Sequence, residues 1–268
     1  MNSFISLENE VALITGGLGD TGSCIARTLA TLGARVVMAD AKPPSDTTPH
    51  SHPSSPVSER LMYAQMDVTS STSIGATVRE LNGSNLTPTI LINSAIVAAP
   101  VPPLPHEASI HLWERDIDMI LKGAFPCAKA VISGMMDRHH GVIVNILSVN
   151  AHQFFGHPSY SAAKAGVGSL TQSIACNYGS HGVRCVSISP GTLMTQSWEA
   201  QLAADPTTFD RLREWYPLGR LGRPQDVADA VAFLVSGRAS WISGTDLVQA
   251  GLITGGTVSH VVALATGQ

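Results

Sequence analysis

A doubly wound α/β domain, with a parallel sheet covered by helices on both faces, is the fold that this chain predicts. Two observations carry it. Short apolar runs alternate with helix-length periodic stretches along almost the whole chain, and runs such as Val142-Ile-Val-Asn-Ile-Leu147 are apolar continuously rather than at every second residue. Continuous runs of this kind suit strands buried on both sides, and strands separated by helices suit parallel pairing.

Strands are expected at 11–15, 34–40, 61–68, 89–95, 141–149, 183–189 and 246–249, with helices over 21–32, 73–81, 110–138, 159–178 and 225–236. The 268 residues, 44% hydrophobic and 13% charged, suffice for one core, so a single domain over 1–268 is expected. So apolar and lightly charged a chain leans towards burying surface against a second copy. A net charge of −4 offers no broad basic field, which argues against a nucleic acid or anionic membrane partner.

Cys24, Cys127, Cys176 and Cys185 form no C-x-x-C pair, so reduced thiols and no metal site are expected. The first residues lack a basic stretch followed by an unbroken apolar one, and no apolar run long enough to span a bilayer occurs. A cytoplasmic protein is the expectation. Segment 42–60, KPPSDTTPHSHPSSPVSER, breaks the alternation and predicts a solvated, mobile excursion; its His50 and His52 have no Cys or carboxylate cluster beside them.

The first strand runs directly into Thr15-Gly16-Gly17-Leu18-Gly19-Asp20-Thr21-Gly22 and then a helix. Glycines at such a junction let the backbone approach a diphosphate, and the helix N-terminus offers free N–H groups. Asp40, at the end of the second strand, is placed to accept from the adenosine ribose hydroxyls and to repel a 2′-phosphate, which favours NAD over NADP. Lys42, two residues on, softens that choice.

Tyr160-Ser-Ala-Ala-Lys164 puts a phenol and an ammonium on one helical face, after a strand that ends near Ser148. A nearby cation is expected to lower the phenol pKa, so that Tyr160 exchanges a proton with a substrate oxygen while Ser148 holds that oxygen. Ser161-Ala-Ala-Lys164 also spells S-x-x-K, but no S-D-N or K-T-G accompanies it.

In this order the motifs resemble those of the short-chain dehydrogenase/reductase family, compact type, over roughly residues 7–255. The resemblance rests on the glycine turn, Asp67-Val68, Asn93-Ser94-Ala95, Ser148, Tyr160-x-x-x-Lys164, Pro190-Gly191-x-x-x-Thr195 and Pro217-Leu-Gly-Arg-Leu-Gly-Arg-Pro. It implies a Rossmann fold and an enzyme interconverting a secondary alcohol and a ketone with NAD. Carried over, Ser148, Tyr160 and Lys164 are the catalytic residues. Gly16, Gly19, Asp20, Thr21, Asp40, Asp67, Val68, Asn93, Leu193 and Thr195 join Tyr160 and Lys164 around the cofactor. Pairing of the helices over 110–138 and 159–178 implies a homodimer or homotetramer, with Ala128, Ala130, Ala162, Ala165, Gly166 and Gly168 small enough for close approach.

Four departures stand out, one of them Asn93-Ser94-Ala95-Ile96 in place of N-N-A-G. Asp20 occupies a position where the family usually has glycine; Ile120 falls where a fourth catalytic residue, Asn, is expected to hold a water that links Lys164 to solvent; and Gln249-Ala-Gly-Leu252 replaces V-D-G-G. The drift at Ile120 motivates an alternative, a non-redox isomerase or cyclase in the same pocket. Substrate walls are expected from 152–157, 96–105 and a lid over 193–216. His152, Phe154, Phe155, Met194 and Trp198, with Ser148 and Tyr160, are the candidate contacts for a bulky apolar small molecule.

Overall fold

The computed structural model describes residues 4–44, 57–96, 104–153 and 155–250. Seven strands, β1 (Val11–Thr15), β2 (Arg35–Asp40), β3 (Leu61–Gln65), β4 (Ile90–Asn93), β5 (Gly141–Ile146), β6 (Val183–Pro190) and β7 (Asp246–Gln249), form one sheet in the order β3-β2-β1-β4-β5-β6-β7. Every pairing is parallel. Strand order reverses between β1 and β4, and a crevice for ligands opens at the carboxyl ends of strands at such a point.

The two-residue period of the strands sorts the core into two faces. Ala12, Ile14, Val36, Met38, Ile90, Ile92, Val142 and Val144 pack under helices α1 (Asp20–Thr31) and α8 (Pro224–Val235). Leu13, Val37, Leu91, Ile143 and Cys185 face the other way, onto α2 (Ser71–Gly83), α4 (Gly123–Asp137) and α5 (Pro158–Tyr178). The doubly wound reading therefore describes this single domain.

Three expected strands end early, each because polar groups turn the chain. Thr15 Oγ1 accepts from the amides of Ser94 (3.1 Å) and Ala95 (3.2 Å), which ends β4 at Asn93. Asp67 Oδ1 accepts from the Thr69 amide at 2.8 Å and its hydroxyl at 2.7 Å, closing a turn after β3. Ser148 accepts from the Asn150 amide at 3.2 Å and caps a short 3₁₀ turn, Val149–Ala151, after β5.

The helix expected over 110–138 is interrupted. α3 (Ile110–Asp116) passes into a π-helical turn, Ile117–Lys122, before α4 resumes. Pro126, inside α4, brings no amide hydrogen to the Lys122 carbonyl one turn back, so regular α-helical bonding is broken at this junction. The span Ile110–Asp137 is long and apolar enough to cross a membrane by length and composition, yet Ala124, Cys127, Ala128, Val131, Ile132 and Met135 are buried in the protein's own core. Segment 193–216, expected as a lid, is not a bare loop: it holds a 3₁₀ turn, Gln196–Trp198, and the short helices α6 (Glu199–Ala204) and α7 (Thr208–Arg213), clasped by the Trp198 and Phe209 rings at 5.7 Å.

Of segment 42–60, residues 45–56, with His50 and His52, lie outside the described residues, and Ser58–Arg60 forms a 3₁₀ turn tied to Glu8 through Arg60 at 3.3 Å. Residues 97–103 of the expected substrate wall 96–105, Phe154 and residues 251–268 also lie outside them.

Candidate active site

The glycine turn after β1 is built for close backbone approach. Gly16 sits at φ 63°, and a Cβ there would meet Ala95 Cα at 2.8 Å; a Cβ on Gly22 would fall 2.2 Å from the Gly16 carbonyl oxygen. Any side chain at Gly22 forces this turn apart. The turn opens α1, whose N-cap is Gly19, a residue with no side chain, and whose first helical position is Asp20.

A cleft of about 650 Å³ runs from this turn to the end of β5. Gly16, Gly19, Asp20, Thr21 and Asp40 line one end, Ser148, Tyr160 and Lys164 the other, and Leu193, Thr195 and Trp198 line it from segment 193–216. Lys42, Ser94, Ile96, Pro190, Gly191 and Gln196 also line it; of these, Lys42 was expected beside the adenosine end, and Ile96 and Gln196 fall within the expected substrate walls. Asp40 accepts from the amides of Leu18 (3.3 Å) and Lys42 (3.2 Å), which hold its carboxylate at the cleft edge. A glycine cradle with no room for a Cβ, free helix amides and an acidic residue beyond it fit an adenine dinucleotide.

At the other end, Lys164 is 2% exposed and donates to the Ile146 carbonyl. Its ammonium lies 5.5 Å from the Tyr160 ring centre, and Ser148 lines the same end of the cleft as the Tyr160 phenol. Ser148 donates to Asn150 Oδ1 at 3.1 Å, while Asn150 Nδ2 donates to the Gly156 carbonyl (3.1 Å) and Ser161 Oγ (3.2 Å). Asn150, overlooked in the sequence, thus fixes the loop that carries Ser148 to the helix that carries Tyr160.

Burial pushes the Lys164 ammonium down to about 7. It also pushes the Tyr160 phenol up to about 12, against the influence of the Ser148 hydroxyl, and the charge of Asp116 adds to the rise. Burial is the largest influence on the phenol, and the lowering expected from Lys164 is not among the causes of its shift.

Not every candidate reaches the cleft. Asp67 closes its own turn, Asn93 donates to Asn145 Oδ1 at 2.8 Å, and Val68 and Asn93 line a separate small cavity of about 10 Å³ behind Lys164. His152 turns away, its Nε2 bonded to Asp246 (2.7 Å) and Ser189 (3.1 Å). Phe155 is exposed outside the cleft lining, and Met194 lines a neighbouring cavity with Asp20, Arg27 and Phe209. Ile120, 5% exposed, packs with Ala124, Leu147, Ala163 and Val167, so its side chain offers Lys164 no polar partner. Among the described residues, no group of three or more His, Cys, Asp or Glu side chains is placed to hold a metal.

Comparison with known proteins follows the same lines. The family described as enoyl-(acyl carrier protein) reductase matches residues 20–252. An uncharacterized oxidoreductase of Schizosaccharomyces pombe is 36% identical over 94% of this chain and 93% of its own length. The cis-4-hydroxycyclohexanecarboxylate dehydrogenase of Sinomonas cyclohexanicum is 35% identical over 88% of this chain and 93% of its own. A crystal structure of an oxidoreductase of the short chain dehydrogenase/reductase family from Burkholderia thailandensis superposes with a TM-score of 0.83 at 31% identity, covering 97% of this chain and 98% of that one.

Proposed function

This chain belongs to the short-chain dehydrogenase/reductase family, whose chemistry is oxidoreduction at CH–OH groups, and from that premise we propose that it uses NAD to interconvert a secondary alcohol and a ketone on a bulky, largely apolar small molecule. One observation carries the reading: the glycine turn and Asp40 open onto the same cleft as Ser148, Tyr160 and Lys164.

A bound nicotinamide supplies the hydride acceptor or donor. The chain's own residues supply the rest. Gly16, Gly19 and Thr21 hold the diphosphate at the α1 N-terminus, and Asp40 meets the adenosine ribose, its charge disfavouring a 2′-phosphate. Ser148 Oγ hydrogen-bonds the substrate oxygen. Tyr160 Oη takes the hydroxyl proton in oxidation and returns it in reduction. Lys164 holds a positive charge beside the phenol and stabilises its ionised form once substrate and nucleotide share the cleft.

Leu193 and Trp198 on the lid and Ile96 opposite give the substrate end an apolar lining, which supports a bulky apolar substrate. The Sinomonas relative is named for a hydroxylated cyclohexane carboxylate, a ring alcohol. Trp113 and Phe125, exposed on α3 and α4, support a homodimer or homotetramer built on these helices.

The test is a titration with NADH and separately NADPH, followed by nicotinamide fluorescence, with an absorbance screen of cyclic alcohols and ketones. NADH binding tighter than NADPH binding, with turnover abolished in Tyr160→Phe, supports the proposal. Binding without turnover of any redox substrate moves the reading to a non-redox acid/base reaction in the same pocket, and binding of neither nucleotide refutes both.

A further inference from the structure

Helix α5 carries Tyr160 and Lys164 but begins poorly. Its N-cap, His157, lies at φ 53°, in the left-handed region, and makes no side-chain cap; no acidic residue stands in the first turn. A helix N-terminus without a capping oxygen or nearby anion leaves its free amides and partial positive charge unanswered. The anion comes from another element. Asp116, at the end of α3, is only 3% exposed, and its Oδ2 accepts from the Ser159 hydroxyl at 2.6 Å, in the first turn of α5 and next to Tyr160. Its Oδ1 accepts from Arg115 Nη2 (3.0 Å) and Nε (3.2 Å), so both carboxylate oxygens have partners.

A buried carboxylate is costly to desolvate and is tolerated only when paired. Here it stands where the regular helix gives way to the π-helical turn Ile117–Lys122, at the junction between the layer that frames the cleft and the helix that bears its reactive groups. We infer that Asp116 is a positioning residue, anchoring the first turn of α5 through Ser159 and setting a fixed negative charge behind Tyr160.

Two separable consequences follow. Loss of the Ser159 bond lets Tyr160 drift from the substrate oxygen. Loss of the charge makes the phenol easier to ionise, because Asp116 adds to the rise that burial imposes on Tyr160. The other charged or titratable groups facing this phenol are Lys164 on α5, with its ammonium 5.5 Å from the ring, and His157, whose ring lies 6.3 Å from that of Tyr160. Burial lowers the His157 imidazole while Asp116 raises it, so His157 also responds to Asp116.

The inference rests on the oxidoreductase reading for its kinetics, but not for its optical readout. Asp116→Asn keeps an acceptor for Ser159 and removes the charge; Ser159→Ala does the reverse. Tyrosinate absorbance near 295 nm, as the difference between each protein and its Tyr160→Phe counterpart, follows the phenol without cofactor. Asp116→Asn is expected to move that titration, and the acid limb of kcat/KM for alcohol oxidation, to lower pH, also in a His157→Gln background. Ser159→Ala is expected to leave both midpoints in place and to lower kcat by up to about 10²-fold with little change in the NADH dissociation constant.

An unchanged phenol titration in Asp116→Asn, together with an unchanged kcat in Ser159→Ala, overturns the inference. Should Asp116→Asn not fold, Ser159→Ala decides: a kcat loss at unchanged thermal midpoint supports the anchor, and an unchanged kcat refutes it. Absence of any redox turnover in the wild type strikes the proposed function and leaves the optical titration to judge Asp116.

Discussion

The backbone amide of Gln196 donates to the Asp20 carboxylate at 2.6 Å, a bond between residues 176 positions apart that ties segment 193–216 to the glycine turn after β1. Asp20 stands at the first position of α1, where the helix end carries partial positive charge, and it lines both the main cleft and the cavity beside it. A bound diphosphate at the same helix end meets this carboxylate as a like charge. Asp20→Asn is therefore expected to bind NADH about two- to fivefold tighter at low ionic strength, with the gain shrinking as salt rises. Fluorescence titrations at two salt concentrations check it; weaker binding in the variant would show that the latch assists the nucleotide rather than opposing it.

Asp40 is the second electrostatic lever. Its two oxygens already accept from the Leu18 and Lys42 amides, so its position at the cleft edge is fixed by the chain rather than by a ligand. Asp40→Ser keeps one acceptor and removes the charge, leaving Lys42 in the cleft lining as the nearby cation. The ratio of NADPH to NADH affinity is expected to rise by at least about tenfold. An unaltered ratio would mean that Asp40 serves only to close its turn.

How far the sequence reached depends on the range of the interaction concerned. All seven strands were legible because short runs bounded by turn residues alternate with helix-length stretches, although β7, Asp-Leu-Val-Gln, is half polar, and the period-2 split of Leu13 from Ala12 and Ile14 follows from strand geometry alone. The gathering of Gly16, Asp40, Ser148, Tyr160 and Lys164 at one cleft was legible because parallel strands bring their carboxyl ends to one edge. What escaped was set by single side chains across long separations. Nothing local in His152 announces that its ring turns to Asp246, nor in Asp20 that it meets Gln196, and the π-helical turn before Pro126 carries no periodicity of its own. The early end of β5 at Ile146 was readable only in retrospect, from Ser148 capping the next turn.

Ile120 offers a direct test of how Lys164 is hydrated. The small cavity behind Lys164 is lined by Thr15, Asn93, Ile120 and Ile146, and Asn93 Oδ1 is buried with no partner among the described residues. Ile120→Asn places an amide next to this orphaned oxygen. A stability loss of about 1–3 kcal/mol is expected from the polar group in an apolar cluster. If proton supply to Lys164 limits turnover, kcat rises in the variant and its solvent deuterium isotope effect falls. A fall in kcat with an unchanged isotope effect would show that Ile120 matters only for packing.

Away from the cleft, His140 and Glu10 give the fold a pH-dependent tie between β5 and the start of β1, with Nε2 2.9 Å from Glu10 Oε1. The hydrogen bond and charge of Glu10 raise the His140 imidazole above its ordinary 6.5. Burial alone would raise the Glu10 carboxyl, but hydrogen bonds from His140 and Thr89 and the charge of His140 bring it below 4.5. The signs set the window. A raised histidine stabilises the fold below its unfolded value near 6.5 and loses that contribution as pH climbs through its folded one. A depressed carboxylate stabilises above 4.5 and loses its contribution as pH falls. The pair contributes most between these limits, and solvent screening at the half-exposed His140 keeps the effect small. His140→Gln is expected to lower the thermal midpoint by about 1–3 °C at pH 5.5 and by less at pH 8.5. Equal losses at both pH values would assign the bond a packing role and remove the charge from the account.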